Sequence, residues 1–439
     1  MKTNDSPRQT KGLNPFLPFD VYVPDGEPKV FGDCVYLYGS YDRFGGGYCS
    51  KIYHAFSAPI SDLTDWTDHG ESFSTNAVPW SDADLYAPDA LYHNGKYYLF
   101  FCLSDGSEGV AESASPAGPF ANARRITMNG EPIMGIDPSV LEDDGKIYYT
   151  WGQFRLHMAE LDEDLCTLKP ETYHTDVITN LDGREGFHEG SSLRKLGDSY
   201  CLIYASEFTP GFPHHGGRPT KLDYALSDSP YGPYTRKGTV IDNEGCDPAS
   251  WNNHGSVIRI GDEWYVFYHA SSNNTAYSRR ARAEKLKVDA ERGVIHTARP
   301  STNGFVPTLL PSMITSPVNA CRFFGGAYVT ETPDGRFPAV GLRAGAGFSF
   351  SPVVFEAGRY ALTVRVRAFE NAVLRLNLDE TPVAEIPLHG AAALTPVSLF
   401  FAVPGGQISV RLTVEGAPDL DLCEIDTLKI ERIIEADRV

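Results

Sequence analysis

Aromatic and β-branched residues gather along this chain in runs of five to eight, each bounded by Gly, Pro, Asn or Asp. Such runs predict short β-strands joined by tight turns. No long stretch carries the 3.6-residue period of an amphipathic helix. One arrangement recurs five times in the first two-thirds of the chain: a turn bearing Asp, Glu or His, a strand-like stretch, a tight turn, and a tyrosine-rich apolar strand. The copies are PDGEPKVFGDCVYLYGSYD from Pro24, APDALYHNGKYYLFF from Ala87, IDPSVLEDDGKIYYTWG from Ile136, HEGSSLRKLGDSYCLIYAS from His188 and NHGSVIRIGDEWYVFYH from Asn253. Asp25, Asp137, Glu189 and His254 each precede a strand tyrosine (Tyr36, Tyr148, Tyr200, Tyr265) by the same eleven residues, and Asp89 stands eight before Tyr97.

A repeat of roughly 50–65 residues with about four short strands per unit predicts a five-bladed β-propeller. The first strand of every blade then lines one axis, so the marked residues of the five copies converge. Two further stretches, AESASPAGPF from Ala111 and ALSDSPYGPY from Ala225, share Ser-Pro and Gly-Pro turns and predict related hairpins in two blades. After the Pro/Ser/Thr-rich passage PTLLPSMITSPVN the pattern changes to long alternating strands such as YALTVRVRAF and QISVRLTVEG, and no tryptophan follows. The fold class predicted is all-β: a propeller over 1–310, then a jelly-roll-like β-sandwich over 316–439.

Charge and composition narrow the partners. The net charge of −19 over 439 residues, with no basic cluster, argues against nucleic acid. The polar N-terminus lacks the apolar core of a secretory signal, and no run of 18 apolar residues predicts a membrane span. Eight dispersed cysteines without a C-x-x-C pair fit reduced thiols, so a cytoplasmic location is expected.

Convergent carboxyl groups at a hub suit hydrolysis of a glycosidic bond, which needs a protonated acid for the leaving oxygen and an ionised base for water. Burial or a neighbouring negative charge raises the pKa of the acid. Asp25 in P-D-G and Asp137 before a proline are also ordinary turn residues. Their common register with Glu189, which has no turn to make, is what favours a catalytic reading.

In the motifs NPFLP, VPDGEPKVFGDCVYLYGSYD, YAPD, GIDPSVLEDDGKIYYTWG, FHEGSSL and NNHGS…WYVFYH, spanning about 20–270, the chain resembles glycoside hydrolase family 43. The resemblance implies a five-bladed propeller that inverts anomeric configuration. It implies Asp25 as general base, Asp137 as the residue that tunes and orients the acid, and Glu189 as general acid. Asp25 and Glu189 would then lie about 6.5–9.5 Å apart. It places His254 near the hub, organising the carboxylates or lying close to a central cation. Arg279, in preference to Arg280, would reach the sugar pocket, and Tyr86 and Asp89 of YAPD would contact substrate, Tyr86 standing where the family usually has tryptophan. No cofactor is required; a structural calcium has room, although no EF-hand-like loop is present. The insertion holding His214, His215, Gly216 and Gly217 is either a solvated loop or a wall of the leaving-group subsite. The tail resembles carbohydrate-binding module family 6 in position and strand pattern, but without tryptophan it reads as structural. The expected substrate is an oligosaccharide or polysaccharide fragment ending in α-L-arabinofuranose or β-D-xylose. The alternatives are galactofuranose or galactan-directed hydrolysis, a phosphorylase or fructosyl-transferring propeller, and a non-catalytic sugar-binding propeller.

Overall fold

The structure is a computed structural model that describes residues 9–179, 186–207 and 218–434. It is all-β. Five sheets, antiparallel apart from one short parallel pairing in each of the third and fourth, follow one another in the order of the five sequence copies. Their first strands are Glu27–Phe31, Asp89–His93, Ser139–Asp143, Gly186–Leu196 and Ser256–Ile260, each paired to the tyrosine-rich strand that follows it. Neighbouring sheets touch in sequence, and the fifth returns to the first through a parallel bridge between Gly26 and Gly255.

The period of two explains how the sheets hold together. Successive side chains of a strand point to opposite faces. Tyr149 and Trp151 of the third sheet enter a core shared with Phe100 and Val110 of the second. Tyr148 and Met158, in odd alternation with them, enter a core shared with Leu202 and Tyr204 of the fourth. The same division gives cores between sheets one and two around Tyr38 and Phe101, between four and five around Ile203 and Val266, and between five and one around Leu37 and Phe267. Strands buried on both faces read as continuous apolar runs rather than as alternation. Emptying one such gap, as in Phe267→Ala, costs about 3–5 kcal/mol.

The fifth sheet has three strands where about four were expected, ending at Arg280–Leu286. Its edge is covered by a side chain. Asn14 Nδ2 donates to the Ala283 carbonyl at 2.9 Å, and Asn14 Oδ1 accepts from the Ala283 N–H at 2.9 Å. The amide thus imitates a neighbouring strand and satisfies a sheet edge that would otherwise be exposed. Phe16, two residues on, packs on Phe267 and Phe305.

Two five-stranded sheets make up the C-terminal part. The strand Gly358–Ala368 buries alternate residues, and the inner faces of both sheets share one core. Leu13 and Phe19 from the N-terminal segment belong to that same core. Tyr22 Oη donates to Glu331 at 3.0 Å, and Arg282 Nη2 donates to the Ala320 carbonyl at 3.1 Å, so the two parts are joined by polar contacts as well.

Candidate active site

The turns that open the first and third sheets put a carboxylate in the left-handed region. Asp25 has φ 59° and Asp137 φ 58°. Aspartate tolerates this conformation better than most residues, so each is both the turn residue and a site residue. Glu189 arrives differently, in a strand whose pairing slips on both sides of it. Such a bulge re-aims a side chain. Gly190 follows at φ 68°, and a Cβ there would lie 3.0 Å from the His254 ring. Glycine at this position lets the His254 ring pack against the bulge that carries Glu189.

These residues line one cavity of about 570 Å³, together with Tyr48, Tyr86 and Arg279. Asp25, Asp137, Glu189, His254 and Arg279 are all buried. Asp25 Oδ1 accepts from Arg279 Nη1 at 3.0 Å, and Asp25 Oδ2 from Ser40 Oγ at 2.6 Å. Burial alone would raise the Asp25 pKa, but Arg279, His254, His269 and Ser40 together hold it below the usual carboxylate value. Arg279 is itself fixed by Asp42, through Nε to Oδ2 and Nη2 to Oδ1, both at 2.9 Å. His269 accepts from the Asp25 N–H at Nδ1, 3.2 Å, which leaves its proton on Nε2, 3.0 Å from Asn252 Oδ1. Burial, with Arg279 nearby, lowers its pKa to about 3, so the ring is neutral.

Asp137 has the opposite environment. Burial pushes its pKa up to about 8; Glu189 and Asp25 add to the rise, and His254 opposes it. Its Oδ2 accepts from the Gly190 N–H at 3.0 Å, which ties Asp137 to the bulge that carries Glu189. His254 Nδ1 lies 3.7 Å from Asp25 and 3.8 Å from Asp137. Burial disfavours charge on this ring, but Asp137 and Asp25 outweigh that and raise its pKa. Glu189 accepts from neutral amides, Gln153 Nε2 at 2.7 Å and Asn252 Nδ2 at 3.3 Å.

Asp89 requires a correction. It does not line the cavity; it is fully buried, bound to Lys29 Nζ at 2.6 Å and to the Val140 N–H at 2.8 Å. The pairing explains this. Leu91 faces Tyr98, as Lys29 faces Tyr36 and Leu141 faces Tyr148. Tyr98 is thus the equivalent tyrosine, and the residue eleven before it is Ala87, which does line the cavity. Asp89 matches Glu27, Ser139 and Ser256, the opening residues of the other first strands, one layer deeper. Tyr86 lines the cavity. His214, His215, Gly216 and Gly217 fall outside the described residues.

Asp42, Gln153, Asn252 and His269 were missed. Asp42, Gln153 and His269 stand at or just past the ends of second strands, Cys34–Tyr38, Lys146–Trp151 and Glu263–Ala270. In an antiparallel pair that end meets the start of the first strand. A polar residue terminating a tyrosine-rich run was the available signal.

The deeper layer bears on calcium. Glu27 is paired with Arg194, and Asp89 with Lys29 and, at 3.8 Å, Arg194. Calcium takes six to eight oxygen ligands. These acids are already neutralised by side-chain cations, and among the described residues no group of three or more His, Cys, Asp or Glu could hold a metal ion. The acids of the deeper layer are therefore already engaged and not free to ligate calcium.

Three buried carboxyl groups converging on a sugar-sized cavity are the equipment of an acid–base hydrolase. The model for glycosyl hydrolases family 43 matches residues 13–292. A xylosidase/arabinosidase of Thermoclostridium stercorarium is 32% identical, covering 93% of this chain and 97% of that protein. A solved β-xylosidase/α-arabinofuranosidase of family 43 from a compost microbial metagenome, in a calcium-free complex with xylotriose, is 27% identical with a TM-score of 0.56, covering 66% of this chain and 98% of that one. An arabinoxylan arabinofuranohydrolase of Bacillus subtilis, 21% identical, shares the fold over 96% of this chain and 97% of its own, with a TM-score of 0.56. The chain belongs to glycosyl hydrolase family 43 and is a glycoside hydrolase.

Proposed function

We propose that this chain is an inverting exo-glycosidase that removes terminal α-L-arabinofuranosyl or β-D-xylosyl residues from oligosaccharides. The observation that carries the reading is the contrast between two carboxylates on one cavity. Asp25 is bound directly by a cation, with Arg279 at 3.0 Å, while the hydrogen bonds to Glu189 come from the neutral amides of Gln153 and Asn252, with His188 Nε2 farther off at 3.7 Å. An ionised Asp25 takes a proton from water as that water attacks the anomeric carbon. Glu189 gives a proton to the departing glycosidic oxygen. Asp137 orients Glu189 through Gly190 and sets the local charge. The names of the relatives support the choice of pentose.

The ring of five sheets is read as a five-bladed β-propeller over 1–310, and the paired sheets as a β-sandwich over 316–439. The core that the sandwich shares with Leu13 and Phe19 supports a structural task for it rather than sugar binding. Eight cysteines, none in a disulfide, support a reducing, cytoplasmic setting. The test is a panel of aryl glycosides (α-L-arabinofuranoside, β-D-xyloside, β-D-galactofuranoside) with Glu189→Ala as control. Turnover of either pentoside that the substitution abolishes supports the proposal. Turnover of the galactofuranoside alone, or none, overturns it.

A further inference from the structure

Arg279 and Asp42, the pair that holds Asp25, each stand one step from a residue that the C-terminal sandwich grips. Asp42 donates its N–H to the Tyr22 carbonyl at 2.9 Å. Arg279 is followed by Arg280, which does not line the cavity. Arg280 turns to Tyr22 instead: its Nη2 donates to Tyr22 Oη at 3.1 Å, and its guanidinium lies over the Tyr22 ring at 4.7 Å. Two sandwich residues close on this couple. Tyr22 Oη donates to Glu331 Oε2 at 3.0 Å, and the Phe337 ring lies 5.9 Å from the Arg280 guanidinium. Tyr22, Arg280 and Phe337 are all buried, where polar contacts are stronger than in water. A third sandwich residue reaches the loop that leads into Arg279: Thr330 Oγ1 donates to Asn273 Oδ1 at 2.8 Å. That loop carries left-handed backbone at Asn273 (φ 62°) and again at Ser278 (φ 53°), just before Arg279. Such backbone persists only where its surroundings hold it.

We infer that the sandwich positions the catalytic base from outside the cavity. Through Glu331 on Tyr22, Phe337 on Arg280 and Thr330 on the Asn273 loop, it fixes the Arg279–Asp42 pair and hence the guanidinium beside Asp25. Glu331, Phe337 and Thr330 are positioning residues, and none touches the reacting atoms. This inference rests on the reading of Asp25 as general base. Burial raises the Asp25 pKa, and Arg279 leads the groups that hold it down, so a guanidinium that drifts away lets it rise. The base works ionised, so the acidic limb of kcat/KM then moves to higher pH. Asp25 also faces His254 at 3.7 Å and His269 at 3.4 Å, and shares the cavity with Asp137, Glu189 and Cys49. The variants below leave all of these in place.

The experiment records kcat, KM and the pH profile on the aryl pentoside that the wild type cleaves, with Tm beside them, in the full chain. Tyr22→Phe removes one hydroxyl and changes no charge. Glu331→Ala removes the acceptor of that hydroxyl. In both, the acidic limb should move up by about half a pH unit. At the pH optimum kcat should fall about threefold, with KM within about twofold. Loss of the Glu331 charge alone would lower the Asp25 pKa, so an upward shift reports geometry. Glu331→Gln, whose amide oxygen still accepts from Tyr22, should restore the wild-type limb. Leu374→Ala, which opens a cavity in the sandwich core, should lower Tm at least as much and leave the limb where it was. Intact turnover with an unmoved limb in Tyr22→Phe and Glu331→Ala overturns the inference. An equal shift in Leu374→Ala overturns it too, because general loosening would then suffice. A wild type that cleaves no pentoside sinks the glycosidase reading, and the inference falls with it.

Discussion

Arg279 bridges two buried acids: one arm of its guanidinium reaches Asp25 at 3.0 Å, and the rest grips Asp42 at 2.9 Å. The fork is rigid, so Asp42 decides where the charge beside Asp25 lies. Arg279→Lys keeps a charge but cannot make three bonds in one plane. The Asp25 pKa, held low mainly by Arg279 against burial, should then rise. Because the base works ionised, the acidic limb of kcat/KM should move to higher pH. An unmoved limb with only a lower kcat would contradict this assignment.

Burial, with Glu189 and Asp25 adding to it and His254 opposing, pushes the Asp137 pKa up to about 8. Asp137 is neutral below that pH and ionised above it. Ionisation adds negative charge beside Glu189 and changes how Glu189 parts with its proton. The wild-type rate profile should bend near pH 8. Asp137→Asn, neutral at every pH, should be slower and lack that bend. A bend that persists in the variant belongs to another group.

Glu108 is a buried acid away from the cavity lining, with Tyr149 Oη donating to its Oε2 and no partner on Oε1 among the described residues. Burial pushes its pKa up to about 8 from 4.5. The folded state therefore keeps a proton that the unfolded state loses between about pH 4.5 and 8, and stability from this residue falls across that window. Glu108→Gln cannot ionise. Its Tm relative to wild type should climb as pH rises from 5 to 9, read by thermal unfolding at each pH.

The deeper hub layer is an ion network of Glu27, Asp89, Lys29 and Arg194. Taking away one partner leaves a buried charge uncompensated, a loss of about 3–5 kcal/mol. Arg194→Met should unfold at clearly lower urea, whereas Lys146→Met, which breaks a half-exposed pair with Glu160, should cost about 1 kcal/mol or less. Equal midpoints for the two variants would contradict the network's role.

Much of this site was readable from the eleven-residue spacing, because strand length and a two-residue turn set it. Asp25, Asp137 and His254 follow it in the structure's pairing, and all face the cavity. Glu189 has the same spacing, although its strand reaches the register through a bulge. The second copy misled for a local reason. Tyr97 and Tyr98 are adjacent, and only the pairing of Leu91 with Tyr98 decides between them. That one choice separates Ala87, on the cavity, from Asp89, beneath it. Asp42 and His269 were hidden for another reason: their tasks arise where the first and fifth sheets meet, and the chain separates those partners by 237 and 244 residues. The cations that fill the deeper layer are likewise remote, Arg194 lying 167 residues from Glu27. Spacing along a repeat reports each unit's own geometry and leaves the closure of the ring unstated.

The central claim is that water activated by Asp25 attacks the anomeric carbon opposite the bond protonated by Glu189. Proton NMR of the first product, recorded before mutarotation, tests it most directly. A β-D-xyloside should release α-D-xylose, or an α-L-arabinofuranoside β-L-arabinofuranose. Release of the sugar with its starting configuration would mean a covalent intermediate and would contradict the roles given to Asp25 and Glu189.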